Sequence, residues 1–398
     1  MTLDFWLIGG DYFMRRQGRG NRHGLQPFGD AAEATVKSLK RGVQRRHAQD
    51  AELIPPNGSD SIQYNLFAYF TDDSGDLSNS IELWDAIPKY CDKRYLKKLR
   101  DENGKLDVIV QRFELRGVSY TVEVDPTTIR TSAGRQQFLP TADEELIEEV
   151  LKKIFSDQRQ GIHNPKERES LVRWSLRMIR RELKERGHTR SLEQIRQSLN
   201  ILAGCIIRLY VDGKKQPIYT GPILSDLVDV TRDDWLDNPK KLLMARLPLL
   251  VSAAINRLEY REFNYDRLMT LENALARWFL RRLIHNFTQA GGLNTYDILF
   301  STIERDSGLI TSPDMSRRVK QVDTMFAELQ EQEVLISVDK DERRSGRGRG
   351  GKINDILYRC LSHPNFTAEV KAANWKKYKS ADILGRDPEA NRLLKLPL

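Results

Sequence analysis

The sequence predicts an α+β protein in which one unit, a set of helices closed by a β-hairpin, occurs twice. Three observations carry that expectation. Shifted by 127 residues, Leu192, Ile195, Leu199 and Leu202 land on Val319, Val322, Phe326 and Leu329. Under the same shift Arg190, Gln194 and Val211-Asp212 land on Arg317, Gln321 and Val338-Asp339. Each copy is also preceded by helix-period segments and followed by strand, turn and strand. An apolar 3-4-3 spacing marks any core helix, but a register shared through a helix and the strand after it marks an internal duplication.

Composition bounds the rest. The 398 residues suffice for two or three domains with substantial cores. Lys plus Arg number 64 against 56 Asp plus Glu, a net charge of +8 that suits an anionic partner. Cys91, Cys205 and Cys360 are far apart and lack C-x-x-C spacing, which argues against a disulfide framework or a zinc site and for a reducing cytoplasm. His23, His47, His163, His188, His285 and His363 form no H-E-x-x-H pattern or i, i+4 couple, so no metal and no cofactor is expected. The apolar start "MTLDFWLIGGDYF" carries Asp4 and has no basic region before it, unlike a signal peptide. The run "LLMARLPLLVSAAI" is broken by Arg246 and Pro248, short of the roughly 20 residues that span a bilayer.

In order along the chain, residues 1–58 read as a weakly ordered basic arm, glycine-rich at "RRQGRGNRHG" and ending at Pro55-Pro56-Asn57-Gly58. A first domain is expected over 59–240, a second over 241–362 and a tail over 363–398. "DVIVQRFELRGVSYTVEVD" contains two β-rich runs about Arg116-Gly117 and reads as a hairpin. "TADEELIEEVLKKIF" turns to helix period, with Leu146, Ile147, Val150, Leu151 and Ile154 on one face and Thr141 as N-cap. Its acidic first turn suits the positive end of a helix. A second helix is expected from Asn164-Pro165 to about Arg186-Gly187, with Leu171, Trp174, Met178 and Leu183 inward. The third, over "SLEQIRQSLNILAG", opens on Ser191 and Gln194 at capping-box spacing, and "CIIRLYVDGKKQPIYTG" follows as strand, turn and strand.

The second copy repeats the order. "LENALARWFLRRLIHNF" buries Leu271, Leu275, Trp278, Phe279 and Leu283 and stops at Ala290-Gly291-Gly292. "NTYDILFSTIERD" reads as a short helix, and a longer one starts with Ser312 as N-cap and Pro313 in its first turn. Strands at Val334–Val338 and Ile353–Leu361 close the unit.

A short helix, a turn and a longer helix form a helix-turn-helix, and the hairpin after it makes each copy a winged-helix domain. That order decides how to read "SGRGRGGKIN". Gly346 to Lys352 matches G-x-x-x-x-G-K, but Ile353 stands where a phosphate-binding loop needs a magnesium-holding hydroxyl. Such a loop also leads into a helix, whereas "INDILYRCL" reads as a strand. The segment is therefore expected to be a wing tip, with Arg343, Arg344, Arg347, Arg349 and Lys352 riding on a flexible backbone that follows a phosphate strand or enters a minor groove.

On the longer helix of the second copy, cations lie first and carboxylates later. Recognition helices touch bases with their N-terminal residues, so Ser316, Arg317, Arg318, Lys320 and Gln321 are the candidate reading residues, arginine for guanine and glutamine for adenine. The first copy offers Arg190, Gln194, Arg196 and Gln197, with Lys214 and Lys215 at its wing, and is less basic. No tyrosine with a histidine cluster and no grouped carboxylates suggest a relaxase or nuclease, so no catalytic residue is assigned and the chain is not read as an enzyme.

These residues resemble plasmid replication initiators of the TrfA type and, more distantly, iteron-binding Rep initiators with two tandem winged-helix domains. The resemblance runs from "YNLFAYF" at Tyr64 through "RFELRGVSYTVEV", "TADEELIEEVL" and "LARWFLRRLIHNF" to the end of the second wing, about three quarters of the chain. The long arm and the Gly-Arg wing depart from that pattern. The resemblance implies a bacterial cytoplasmic protein, away from the membrane, that binds direct repeats of double-stranded DNA at a plasmid origin. It also implies opening of an AT-rich segment, recruitment of the host initiator DnaA and the replicative helicase, and a monomer–dimer equilibrium through the first domain. The second domain would then carry the main readout. The alternative is a winged-helix transcriptional regulator with no origin-opening role.

Overall fold

Alternating apolar residues set the first sheet. Strand β1 (Leu77–Ile81) and helices α1 (Glu82–Ala86) and α2 (Lys93–Leu99) lead into β2 (Ile109–Leu115) and β3 (Val118–Asp125). These are coordinates of a computed structural model, which describes residues 77–131, 134–156, 161–164, 167–227, 243–344 and 353–383. The arm expected over 1–58 and the loop cations Arg347, Arg349 and Lys352 lie outside the described residues. β2 and β3 pair as the expected hairpin, and Arg116 and Gly117 both take positive φ, at 51° and 75°. Two left-handed residues give the two-residue turn whose twist matches that of the strands. β4 (Thr127–Thr131) and β5 (Gly134–Phe138) form a separate ribbon.

Helix α3 (Ala142–Phe155) starts as the sequence predicts, with Thr141 and Glu144 closing a capping box. Its five expected apolar residues are buried, but so are Glu144, Glu145, Glu148, Glu149 and Lys152. The next stretch departs from expectation. Instead of one long helix after Asn164-Pro165, the chain forms β6 (Gly161–Asn164) and β7 (Glu169–Trp174), and only then α4 (Leu176–Glu185). Strand β7 alternates Ser170, Val172 and Trp174 inward, leaving Leu171 half-buried, and it is paired on both edges. A double-sided ladder outweighs the weak helical spacing of Leu171 and Trp174. Ser175 then caps α4, its Oγ accepting from the Met178 amide at 3.2 Å.

Helix α5 (Leu192–Gly204) carries the expected capping box of Ser191 and Gln194. The hairpin β8 (Ile206–Val211) and β9 (Tyr219–Pro222) completes a sheet of order β2-β3-β8-β9. β10 (Leu243–Arg246) pairs with β7, α6 (Leu249–Arg257) follows, and β11 (Tyr260–Asn264) pairs with β1. Strands on the two sides of the expected 240/241 boundary are thus hydrogen-bonded to each other.

After α7 (Tyr265–Thr270), the second unit comprises α8 (Ala274–Asn286), β12 (Thr295–Leu299), α9 (Phe300–Ser307), α10 (Met315–Glu331), β13 (Leu335–Arg344) and β14 (Ile353–Ser362). "NTYDILFSTIERD" is not a single helix. Its first half is β12, paired antiparallel with β14 in a sheet of order β12-β14-β13, and only its second half is α9. The N-cap of α10 is Asp314 rather than Ser312, and Asp314 accepts from the Ser316 amide at 3.0 Å. The glycine-arginine loop joins two antiparallel strands, with Arg344 opposite Ile353. A strand on the far side removes the helix N-terminus that a phosphate-binding loop requires.

Positions 127 residues apart are buried alike. Ile195, Leu199 and Leu202 on α5 are buried, and so are Val322, Phe326 and Leu329 on α10. Where a tail was expected over 363–398, α11 (Pro364–Ile383) packs Phe366, Val370 and Ala373 onto the body.

The two units share one core and an ionic seam. Glu145 on α3 holds Arg277 of α8 at 2.7 Å and also pairs with Arg281. Arg281 reaches Glu149 at 3.2 Å, and Lys152 lies 2.8 Å from both Glu149 and Asp85. Burial alone would raise the Glu145 carboxyl, but the two guanidiniums hold it down at about 2. Asp306 of α9 adds a link, accepting from the Glu114 amide of β2 at 3.0 Å and from Arg282 at 2.9 Å.

Candidate nucleic-acid interface

Helix α10 and the hairpin β13–β14 place the second unit's candidate residues together. The chain turns at Glu333, whose φ is 56°, and β13 runs back along α10. Lys340 of β13 meets Asp323 of α10 at 3.2 Å. From that point Arg344 lies about 13 Å further along the strand and Ser316 about 10 Å back along the helix, so the two ends stand level. Asp355 of β14 fixes the hairpin to α9 by accepting from the Ser301 amide at 3.1 Å and its hydroxyl at 2.6 Å.

Within this frame the candidate residues differ. Arg317 is open, its side chain 79% exposed, and its one acidic neighbour among the described residues is Asp314 at 3.6 Å. Ser316, Lys320, Arg343 and Arg344 are also exposed, Arg344 donating to Glu342 at 2.6 Å. Gln321 lies at a helix position where its side chain caps nothing, and its buried Oε1 has no hydrogen-bond partner among the described residues. Arg318 is different. It turns toward α9 and pairs with Glu304, its side chain 25% exposed. The expectation that Arg318 reads a base therefore meets a side chain already engaged within the fold.

In the first unit the matching residues are engaged internally. Arg190 donates to Asp143 at 2.9 Å and is 28% exposed. Burial would raise the Asp143 carboxyl, but hydrogen bonds from Lys93 and Arg190 hold it below its ordinary range. The Gln194 side chain accepts from the Ser191 amide at 2.8 Å, closing the capping box. Arg196 pairs with Glu193, and Gln197 is half-buried. Lys214 and Lys215 stand exposed at the turn between β8 and β9.

Sequence reasoning missed a cationic face on α4. Arg177, Arg180, Arg181 and Lys184 are all exposed. Among the described residues only Arg181 of the four has acidic neighbours, Glu185 at 3.9 Å and Glu182 at 4.0 Å. The signal was present as basic residues three and four apart, opposite the buried Leu176, Ile179 and Leu183. An exposed row of cations of this kind suits sequence-independent contact with a polyanionic backbone.

Among the described residues no three His, Cys, Asp or Glu side chains are placed to share a metal ion, and no helix is long and apolar enough to cross a membrane. No family model and no curated protein matches the chain. Among solved structures it is similar to a crystal structure of domains 2 and 3 of RctB, with 11% identity and a TM-score of 0.41 over 70% of this chain and 96% of that one. A second structure of RctB domains 2 and 3 gives 10% identity and a TM-score of 0.36, covering 69% and 99%. The Pi initiator protein in complex with iteron DNA gives 9% identity and a TM-score of 0.38, covering 55% and 90%.

Proposed function

We propose that the protein is a sequence-specific duplex-DNA-binding replication initiator, built from two tandem winged-helix units and lacking catalytic activity of its own. The observation that carries the DNA reading is the open Arg317 and Lys320 on the first turns of α10, level with the cationic end of the hairpin β13–β14. A major groove is wide enough to admit such a helix, and arginine and glutamine there make two-point contacts with guanine and adenine. The hairpin and the α4 face supply phosphate contacts, which hold the helix in register without carrying sequence information.

The initiator role itself is supported by the sequence resemblance to TrfA-type proteins. On that reading the protein binds repeats at a plasmid origin, promotes opening of the adjacent segment, and engages DnaA and the replicative helicase. Footprinting on the DNA flanking the gene should reveal protected direct repeats, and a plasmid carrying them should replicate only when the protein is supplied. Protection without replication would assign the chain to the regulators instead. Absence of any protected repeat would remove the sequence-specific reading altogether.

Salt dependence tests the phosphate faces. Replacing Arg177, Arg180, Arg181 and Lys184 by alanine should flatten the slope of log affinity against log salt by about 2–3 units, at roughly 0.9 per phosphate released. Alanine at Arg343, Arg344, Arg347 and Arg349 should flatten it by about 2–4 units, leaving the ratio of specific to non-specific affinity nearly unchanged. An unaltered slope in either variant would place that face in solvent.

A further inference from the structure

The outward face of α11 has no role in this reading. Lys371, Trp375 and Tyr378 lie four and three residues apart, on one side of the helix, and Trp375 and Tyr378 are 47% and 54% exposed. Lys379 lies with its Nζ 5.0 Å from the centre of the Trp375 ring. The opposite face is fixed to the body. Asn374 donates to the Thr288 carbonyl at 2.8 Å, Glu369 accepts from Arg267 at 2.9 Å, and Lys376 pairs with Glu262. From Pro364 to Lys379 the only carboxylate is Glu369, and it is engaged on that inner side.

The geometry points to α11 as a binding face for unpaired nucleic acid, in which bases stack on Trp375 and Tyr378 while Lys371 and Lys379 neutralise the intervening phosphates. Positions 375 and 378 are about 4.5 Å apart along the helix axis, a step of the order of the spacing between neighbouring splayed bases. Exposed aromatic rings flanked by cations are the features single strands require, because every base offers a π-face and every link a charge. A duplex keeps those faces stacked inside and cannot use the rings. The absence of any outward carboxylate from Pro364 to Lys379 removes a repulsion that would otherwise oppose the backbone.

This face is separate from the duplex-reading surface. α11 begins beside the base of the hairpin, where Ser362 pairs with Leu335, while Arg344 pairs with Ile353 at the other end. The ten residues of β14 hold those ends about 30 Å apart. The inference therefore stands or falls independently of the base-reading role of α10.

The test uses the full chain with a fluorescein-labelled 30-nucleotide oligo(dT), a duplex of the footprinted site, and vesicles of mixed zwitterionic and anionic lipid. Trp375→Ala and Tyr378→Ala should each weaken oligo(dT) binding about tenfold, in the range of one lost base–ring stack. Trp375→Phe should restore most of that loss, since it keeps a ring. Lys371→Ala with Lys379→Ala should flatten the salt slope for the oligonucleotide by about 1.4 units, at roughly 0.7 per phosphate of a single strand. Duplex affinity should be unchanged in all of these, and the thermal unfolding midpoint should fall by no more than a few degrees, because the substituted side chains lie on the outer side of α11. Oligo(dT) binding indifferent to loss of both rings would overturn the proposal. So would an equal loss of duplex affinity, or vesicle binding that is the only property the substitutions abolish.

Discussion

The two units differ in where their long helices begin. Helix α5 starts at Leu192 and α10 at Met315, which under the 127-residue register is one turn early. The buried halves of the helices coincide, Ile195 with Val322, Leu199 with Phe326 and Leu202 with Leu329. The exposed halves do not. Without the extra turn, Ser191 is the N-cap, so Gln194 falls at the third helical position and closes a capping box, while Arg190 lies before the helix and turns back to Asp143. With the extra turn, Asp314 takes over capping, and Arg317 and Gln321 sit inside the helix with nothing to cap. One turn of helix thus leaves Arg317 open to solvent and relieves Gln321 of capping, although the Gln321 Oε1 stays buried. The buried positions match because packing constrains them. The surface is free to differ, with the proposed base-reading residues on α10 and the proposed phosphate contacts on α4.

The largest test of this division is whether the units are held as one body. In Glu145→Ala, Arg277 and Arg281 lose a buried partner, and breaking such an arrangement typically costs about 3–5 kcal/mol. Urea unfolding should remain a single transition with a much lower midpoint. Two separate transitions in the unaltered protein would show that the seam does not couple the units.

The next test addresses the reading head directly. Arg317→Ala and Gln321→Ala should each cost about 1–3 kcal/mol on the specific duplex and relax preference at one base pair. Arg190→Ala and Gln194→Ala should lower DNA affinity less and show their effect in thermal stability, since both serve the fold. Larger binding losses from the first-unit pair would reverse the assignment.

A smaller effect comes from His285, on the seam face of α8. Burial pushes its pKa down to about 3, against a pull from Asp85 and with further lowering from Arg261, Lys377 and Arg116. Its ring shares a hydrogen bond with the Ser80 hydroxyl at 2.9 Å. The folded value is depressed, so the neutral ring's contribution is complete above the unfolded pKa near 6.5 and is lost as pH falls toward the folded value. Between pH 6.5 and 5.5 stability should drop by about 1 kcal/mol from this group alone. His285→Gln, compared by urea midpoints across that window, should remove this acid limb. An unchanged limb would mean that the ring takes up a proton in the folded state.

Much of the fold was legible because local chemistry and packing agreed. The turn at Arg116-Gly117, the caps at Thr141 and Ser191, and the repeated apolar register all appear where the sequence places them. The misreadings share a cause. β7 and β12 each pair with a strand distant in sequence, β10 and β14, and no local period announces such a ladder. Leu171 and Trp174 fit a helical face equally well until the pairing is known. For the candidate site, sequence supplied the residue types but not their engagements. Asp143 lies 47 residues from Arg190, and Glu304 lies 14 from Arg318.

That last pair carries the finest test. By charge alone Arg317 and Arg318 are equivalent, yet one faces solvent and the other pairs with α9. Arg318→Ala should therefore leave specific DNA affinity within about twofold. A half-exposed ion pair of this kind contributes about 0.2–1 kcal/mol, so the thermal midpoint should fall slightly. Glu304→Ala should give a similar small loss, and the double variant should lose less than the sum, as coupled partners do. Released from its partner by Glu304→Ala, Arg318 becomes an additional free cation beside Arg317, which should raise non-specific affinity a little and steepen its salt slope by up to about one unit. If Arg318→Ala instead cost as much binding as Arg317→Ala, the ion pair with Glu304 would have to open on DNA, and the difference between the two arginines would vanish in the complex.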